Sequence, residues 1–206
     1  MPALETRQTL GRRLAGAALI ALLAAGCGGD DEPGDTAASA DSVPMDSAAA
    51  PAAPTVADPE IAAILAASDT AEIQPSQLAL EKGQNAGVKE FAQRMITDHG
   101  MLSDSLGAMA QANNLTPTPN ATSQQIQSQT QTTLQTLQGL SGAAFDSAYV
   151  RAMADSHQMA LTTIDSQLIP SAQNPQLRTA LEQKIRPAVS MHLDEIRRIQ
   201  GSLGAQ

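Results

Sequence analysis

Apolar residues recur at the spacing of an α-helix along four long stretches after Glu60, and this periodicity constrains the fold more than any other feature. Residues three or four positions apart share one side of a helix, so each stretch has one face to bury. Aromatic residues make up 1% of the sequence, too few for a β-sandwich or barrel, whereas its alanine, leucine and methionine favour helices. The sequence therefore predicts an all-α fold, a four-helix bundle formed by residues 59–82, 86–112, 142–169 and 175–200.

Glycine- and proline-containing breaks separate these helices at 82–85 and 113–120, and Asn174-Pro175 opens the last one. Residues 121–138 are rich in glutamine and threonine and carry only a thin apolar stripe. This pattern predicts an extra, short and poorly buried helix between helices 2 and 3. The stripe consists of Ile126, Leu134 and Leu137.

Two prolines mark special positions in the predicted helices. Asp58 precedes Pro59, the pattern of an N-cap followed by proline at the first helical position. Pro187 lies inside the last helix, and because it lacks a backbone N–H we expect it to kink that helix.

Residues 1–26 have the composition of a bacterial signal peptide. Three arginines precede LAGAALIALLAA (14–25), an apolar run too short for a bilayer-spanning helix, which needs about 20 residues. Gly26 and Cys27 follow, and LLAAGC resembles the lipobox of bacterial lipoproteins. The alternative is an ordinary signal peptide with a chance cysteine. Since Cys27 is the only cysteine and stands at the cleavage point, we expect it to carry a lipid.

Residues 28–59 hold seven acidic residues, five prolines and no lysine or arginine. Such a segment cannot bury a core, so we expect residues 27–58 to be a disordered tether for a helical domain over 59–206. The protein would then be held in the cell envelope by its lipid, facing the periplasm or the exterior. Gly28 after the cysteine favours the outer membrane.

The charge of the chain limits its partners. Removal of residues 1–26, with three arginines and one acid, changes the net charge from −9 to −11. This acidity argues against nucleic acid as a partner. The membrane, through the lipid on Cys27, is the partner that the sequence indicates, and no feature identifies a protein partner.

Four polar residues fall within the apolar faces of the four long helices. On a wheel of about 100° per residue these are Glu72, His99, His157 and His192, one from each helix and including every histidine of the chain. Inward ligands from facing helices are how bundles build metal sites, and a buried carboxylate is costly unless paired or metal-bound. The alternative is a polar core network without metal, in which Glu72 accepts hydrogen bonds from His99 or His192.

Methionines stand close to the histidines in sequence. Met95 and Met153 each lie four residues before a histidine, and Met191 adjoins His192. Thioether with imidazole suits copper(I), but methionine also fills gaps in a core with few aromatics. The predicted metal is therefore zinc or copper.

Three segments together resemble domain-of-unknown-function family 4142: EIQPSQLALEKGQNAGVKEFAQRMITDHG (72–100), LSGAAFDSAYVRAMADSHQMAL (140–161) and RPAVSMHLDEI (186–196). The resemblance covers roughly 58–200 and implies a ferritin-like helical bundle in an exported or outer-membrane protein, with no activity to transfer. Arg186 departs from it, since the family usually has leucine before this proline. The positions carried over are Glu72, Asp98-His99, Phe145-Asp146, Tyr149, His157 and His192.

Ferroxidase activity and iron storage do not fit the sequence. Di-iron bundles carry Glu-x-x-His motifs on two helices, whereas Ile96, Ala154 and Val189 stand three residues before the histidines. Three interpretations stay open: a metal-binding module, a structural or stress-associated envelope module, and a mononuclear metal enzyme. No catalytic residue is recognised, so the enzyme is the least favoured.

Overall fold

The structure is a computed structural model that describes residues 55–204. The predicted signal peptide, Cys27 and the tether as far as residue 54 lie outside the described residues. Within 55–204 the chain forms five helices and no strand. The first three are α1 (Asp58–Lys82), α2 (Ala86–Ala112) and α3 (Ala121–Gln138).

The last two helices each contain one widened, π-helical turn. We call α4 the continuous run of Gly142–Thr163, the π-helical turn Ile164–Leu168 and a last turn Ile169–Ser171. Likewise, α5 is the run of Pro175–Ala180, the π-helical turn Leu181–Ile185 and Arg186–Gly204. The all-α bundle with an extra helix between its second and third long helices is thus confirmed.

The helices pack so that α1 contacts α2, α3 and α4, while α5 packs on α4 and α2. Their apolar faces form two clusters. One is built from the second half of α1, the first halves of α2 and α4 and the second half of α5, and includes Phe91, Met95, Phe145, Tyr149, Met153 and Ile196. The other is built largely from the opposite halves of α1, α4 and α5, and includes Ile61, Ile64, Leu168, Leu177, Leu181 and Ile185. The predicted inward polar residues lie between these two sets along each helix.

The predicted N-cap role of Asp58 is wrong. Helix α1 already begins at Asp58 and its N-cap is Ala57, whose N–H donates to Oε2 of Glu60 at 2.8 Å. The carboxylate of Asp58 instead accepts the backbone N–H groups of Gln173 (2.9 Å) and Asn174 (2.8 Å). It thereby joins the start of α1 to the α4–α5 connection, whose free N–H groups need an acceptor.

Both π-helical turns come before a proline. The N–H of Ile169, before Pro170, donates to the carbonyl of Ile164, and that of Arg186, before Pro187, donates to the carbonyl of Leu181. Each of these bonds spans five residues instead of the four of an α-helix, which widens the helix beside the proline ring. Pro187 therefore perturbs its helix, as expected, but as a widened turn after which the helix continues to Gly204.

Arg186, the position at which the chain departs from the family pattern, joins the two π-helical turns. Its guanidinium donates to both carboxylate oxygens of Asp165, at 2.6 Å and 3.0 Å. These hydrogen bonds lower the pKa of Asp165. Both side chains are nearly half exposed, so water screens the pair and it adds little to stability.

Asp146 ties α4 to the connection between α1 and α2. It is buried, and its carboxylate accepts the N–H of Gln84 at 3.1 Å and that of Asn85 at 2.8 Å. Asn85 in turn caps α2, because its side chain accepts the N–H of Val88. The direction of α2, and hence the position of His99 on it, depends on this carboxylate.

No helix among residues 55–204 is both long enough and apolar enough to cross a bilayer.

Replacement of Asp146 by alanine should lower the free energy of unfolding by about 2–4 kcal/mol, because two backbone N–H groups lose their acceptor. Urea unfolding of the two proteins measures the difference. Asp155→Ala is the control, since Asp155 is an exposed acid on the same helix, and we expect it to change stability by less than about 0.5 kcal/mol. Equal effects of the two substitutions would contradict this role for Asp146.

Candidate metal centre

The three histidines of the chain are buried in the middle of the bundle. His99 on α2, His157 on α4 and His192 on α5 are 6%, 1% and 2% exposed. Glu72 on α1 is 3% exposed. The inward orientation that the helical wheel predicts for these four residues is therefore observed.

The imidazoles converge on one point. One ligand nitrogen from each histidine lies within 4.8 Å of those of the other two, and the ring centroids are 5.5 to 6.1 Å apart. A metal ion with nitrogen ligands at roughly 2.0–2.1 Å in tetrahedral geometry would bring these nitrogens to about 3.4 Å from one another. The observed limit of 4.8 Å exceeds this separation, so the rings would move closer together on binding an ion.

In each histidine one ring nitrogen, which we call the outer nitrogen, contacts a hydrogen-bond acceptor, and this contact fixes the ring. These acceptors differ in kind, since two are carboxylates and one is a backbone carbonyl. The contacts are His99 Nδ1 with Asp69 Oδ1 (2.9 Å), His157 Nδ1 with the Met153 carbonyl (2.9 Å) and His192 Nε2 with Asp98 Oδ2 (3.0 Å). Because that nitrogen donates its N–H to the acceptor, a neutral ring keeps its lone pair on the opposite nitrogen.

The opposite nitrogens are buried and lack a hydrogen-bond partner among the described residues. They are Nε2 of His99, Nε2 of His157 and Nδ1 of His192. An unpaired buried polar atom costs about 1–3 kcal/mol, so three such atoms in one place need an explanation. Imidazoles whose outer nitrogens are held by carboxylates or carbonyls, with the other nitrogen free, are the arrangement found around protein-bound metals.

Glu72 lies beside this cluster but is not one of the converging groups. Its Oε1 accepts the hydroxyl of Ser156 at 2.5 Å, and its Oε2 is 3.5 Å from Nδ1 of His157. That nitrogen already donates to the Met153 carbonyl, so Glu72 approaches the outer side of the ring. The structure thus brings the three predicted histidines together and places Glu72 next to one of them. The expected hydrogen bonds from His99 or His192 to Glu72 are made to Asp69 and Asp98 instead.

Asp69 is the residue of the site that sequence reasoning missed. It is buried, and it lies three residues before Glu72 on the same face of α1. Two acidic residues three positions apart on an apolar helix face could have indicated that Asp69 belongs to the site. Asp98 was among the residues of the family resemblance, without a role, and the structure shows that it holds His192.

The charges around the cluster favour a cation. Burial raises the pKa of Asp69, against the effect of its hydrogen bond to His99. Burial alone lowers the pKa of His99, but its hydrogen bond to Asp69 and the negative charge of Glu72 outweigh this effect, so the pKa of His99 is raised. Burial lowers the pKa of His192. Three carboxyl side chains, those of Asp69, Glu72 and Asp98, therefore lie next to the three imidazoles.

The methionines near the histidines do not all share one environment. Met95 and Met153 are fully buried members of an apolar cluster, which fits their expected use as core fillers. Met191 is 49% exposed. The donor set that the geometry brings together is thus three imidazole nitrogens.

Two cavities adjoin the histidine cluster. The larger has a volume of 780 Å³, and Asp69, Glu72, His99 and His157 are among the residues that line it. The smaller, of 150 Å³, lies against His99 and His192. Open space therefore borders the cluster, although its histidines are buried.

The fold and the site together define a class: a small helical bundle with a buried three-histidine cluster. Comparison of the chain with family models gives a match over residues 43–199 to the family described as Domain of unknown function (DUF4142). The chain belongs to this family, and the resemblance noted from the three sequence segments is confirmed. No curated protein and no solved structure shows significant similarity to the chain.

Proposed function

We propose that this domain binds one transition-metal ion, zinc or copper, through His99, His157 and His192. Two observations together carry the proposal: each histidine brings one ring nitrogen within 4.8 Å of the others, and each has a buried ring nitrogen with no partner among the described residues. Zinc bound by three histidines keeps a fourth position for water or another ligand. Copper(II) also accepts imidazole ligands and binds more tightly than zinc to most such sites.

The remaining polar residues orient the ligands and balance the charge of the ion. Asp69, Asp98 and the Met153 carbonyl hold the outer nitrogens, so that each free nitrogen points inward. Glu72 contributes negative charge close by. To act as the fourth ligand predicted from the sequence, Glu72 would use its other oxygen, Oε2, which lies 3.5 Å from Nδ1 of His157.

The competing function is a structural or stress-associated envelope module with a polar core network and no metal. The hydrogen bonds of the three outer nitrogens suit that function equally well. It leaves three inner nitrogens and one oxygen each of Asp69 and Glu72 buried without partners among residues 55–204. A bound cation accounts for the nitrogens directly, which is why we prefer the metal site.

We further propose that the protein works in the cell envelope, attached to the membrane by a lipid on Cys27. The support is the arginine-containing signal peptide, the lone cysteine at its end and the acidic, proline-containing segment before the bundle. The domain would face the periplasm or the exterior, with the outer membrane favoured. A metal site there would meet ions that enter the cell from outside.

Metal binding is tested on the mature chain with Cys27→Ser, made without residues 1–26 and without a histidine tag. Calorimetric titration with zinc and with copper should show one ion per chain. Because the ion binds only the folded state, it should stabilise the fold by about 2.7 kcal/mol when the free metal concentration is a hundred times Kd. The melting temperature should then rise by several degrees. His99→Ala should abolish the rise, whereas Gln111→Ala, an exposed change on the same helix, should keep it. A melting temperature unmoved by either metal would favour the structural function.

The affinity for zinc should fall as the pH drops from 7.5 to 5.5. Metal binding needs neutral histidine. Because the pKa of His99 is raised above its ordinary value of 6.5, protons begin to compete with the metal for this nitrogen at a pH above 6.5. We expect a loss of about tenfold or more across this range. Asp69→Asn removes the charge that raises this pKa, so the zinc affinity of the variant should begin to fall at a lower pH than that of the unchanged protein. Equal pH profiles for the two proteins would speak against the Asp69–His99 pair as the titrating unit.

In cells, Cys27→Ser should release the protein from the membrane fraction without unfolding the bundle. The apolar run at 14–25 is too short to hold the chain as a stable span, so the lipid would be the anchor. Fractionation followed by a salt wash measures retention, and circular dichroism of the released protein checks the fold. Retention of the variant after the wash would show that the lipid is not the anchor.

A further inference from the structure

We infer that the 780 Å³ cavity binds the alkyl chain of a long-chain fatty acid, with the carboxylate head group beside Arg151 on the surface of α4. The inference concerns the space next to the histidine cluster and does not depend on a bound metal ion. The volume lies within the range of about 300–1,000 Å³ usual for small-molecule sites. The length of the cavity, its apolar end and the position of one arginine identify this class of ligand.

Hydrogen bonds at the helix ends show how the helices around the cavity are directed. At one end the N–H of Thr118 donates to the Pro59 carbonyl, and at the other the ammonium group of Lys82 donates to the Gln138 carbonyl. Helices α1 and α3 therefore run parallel. Helix α4 runs against both, since Asp146 near its start contacts the connection that follows α1. The start of α4 thus lies beside the ends of α1 and α3, and its end lies beside their starts.

The cavity is long and follows these helices. Its lining extends on α4 from Ala148 to Leu168 and on α3 from Thr122 to Thr136. At 1.5 Å per residue these stretches measure about 30 Å and about 21 Å. The hydrocarbon core of a bilayer is about 30 Å thick and contains two layers of acyl chains, so one chain is about 15 Å long. The cavity is therefore long enough for a whole extended acyl chain.

Most of the surface that faces the cavity is apolar. At the end where α1 and α3 start and α4 ends, the lining side chains include Ile64, Ile126, Ile164 and Leu168. The histidine cluster borders the middle of the cavity, but its histidines and carboxylates are almost completely buried and contribute little of that surface. The part of a ligand that fills this space must therefore be apolar to displace water from it.

Small side chains on α4 leave room for such a chain along the whole cavity. Ala148, Ala152, Ser156 and Ala160 follow one another at one-turn spacing, line the cavity and are half-buried. On the opposite side, α3 carries no charged residue. An alkyl chain lying between the two helices therefore meets neither large side chains on α4 nor charges on α3.

The exposed charges at the cavity set the direction of the ligand. Arg151 is the only lysine or arginine that lines it, and its exposed guanidinium has no hydrogen bond or ion pair among residues 55–204. It lies 17 residues before Leu168, or about 25 Å from the apolar end. Asp155, one turn closer to that end, is also exposed and repels a carboxylate from the middle of the cavity. A fatty acid with its head group at Arg151 and its tail towards Leu168 satisfies both residues.

The test titrates saturated fatty acids of eight to sixteen carbons into the metal-free mature chain carrying Cys27→Ser, below their micellar concentrations. This variant has no lipid of its own that could compete. Calorimetry should show one hexadecanoate bound per chain. Because each added methylene is buried, the affinity should rise up to about fourfold per carbon. Hexadecylammonium should bind more weakly than hexadecanoate, since its charge has the same sign as that of Arg151.

Variants of the cavity locate the two ends of the ligand, and circular dichroism checks that each variant is folded. Ala160→Leu fills the space between Arg151 and the apolar end, so it should weaken hexadecanoate at least tenfold and leave the shorter octanoate unchanged. Ala66→Leu adds the same volume at an exposed position outside the cavity and should change neither. Arg151→Gln should weaken hexadecanoate several-fold, whereas Asp155→Asn should not weaken it.

The outcomes separate this inference from the metal proposal. An affinity that does not rise with chain length, or one that Ala160→Leu leaves unchanged for hexadecanoate, overturns the cavity as the binding site. Tighter binding of hexadecylammonium than of hexadecanoate, or no effect of Arg151→Gln, overturns the fatty acid as the ligand. Because these titrations use metal-free protein, none of these results bears on the metal site, and a chain that binds no zinc leaves this inference standing.

Discussion

The burial of three imidazoles and two carboxylates between two apolar clusters is the constraint on which the rest of this bundle depends. Ionisable groups are costly to remove from water unless their polar atoms are paired. The bundle pairs the outer nitrogen of every histidine, with Asp69, the Met153 carbonyl or Asp98. The inner nitrogens remain unpaired among residues 55–204, so the cost is only partly offset by the protein itself. A bound cation would offset the remainder and would link metal uptake to stability.

The fixed positions of the helices follow from contacts far from the histidines. Asp146 holds the start of α2, and Asp58 holds the connection before α5, each by accepting two backbone N–H groups. The π-helical turns let α4 and α5 pass through Pro170 and Pro187 without ending. These contacts matter to the site because a nitrogen displaced by one ångström would miss a ligand bond of about 2 Å. The centre is therefore built by the whole bundle, although its ligands are few.

The helical wheel predicted much of this arrangement, and its failures have physical causes. Periodicity reports which face of a helix a residue occupies, and this sufficed to place Glu72 and the three histidines inside. It says nothing about rotamers, so it could not show that Glu72 turns to Ser156 or which nitrogen of each ring faces the others. The N-cap assigned to Asp58 failed because its partners, Gln173 and Asn174, lie at the other end of the sequence. The position of α3 beside the 780 Å³ cavity was equally hidden, since its weak apolar stripe shows that it is poorly buried but not what it packs against.

The same shortage of aromatic residues that favours an all-α fold also explains the open space beside the centre. The bundle is built mainly from alanine, leucine, isoleucine and methionine, which bury little area each, and its aromatic side chains, Phe91, Phe145 and Tyr149, all lie in one apolar cluster. The other half of the bundle, on the side of Ile64, Ile164 and Leu168, has no comparable filler among its described residues, and the 780 Å³ cavity lies there. A purely structural zinc site is closed by four protein ligands, whereas three histidines beside such a cavity leave one position for an exogenous molecule. The uneven distribution of large side chains thus gives the proposed metal centre both its rigid side and its accessible side.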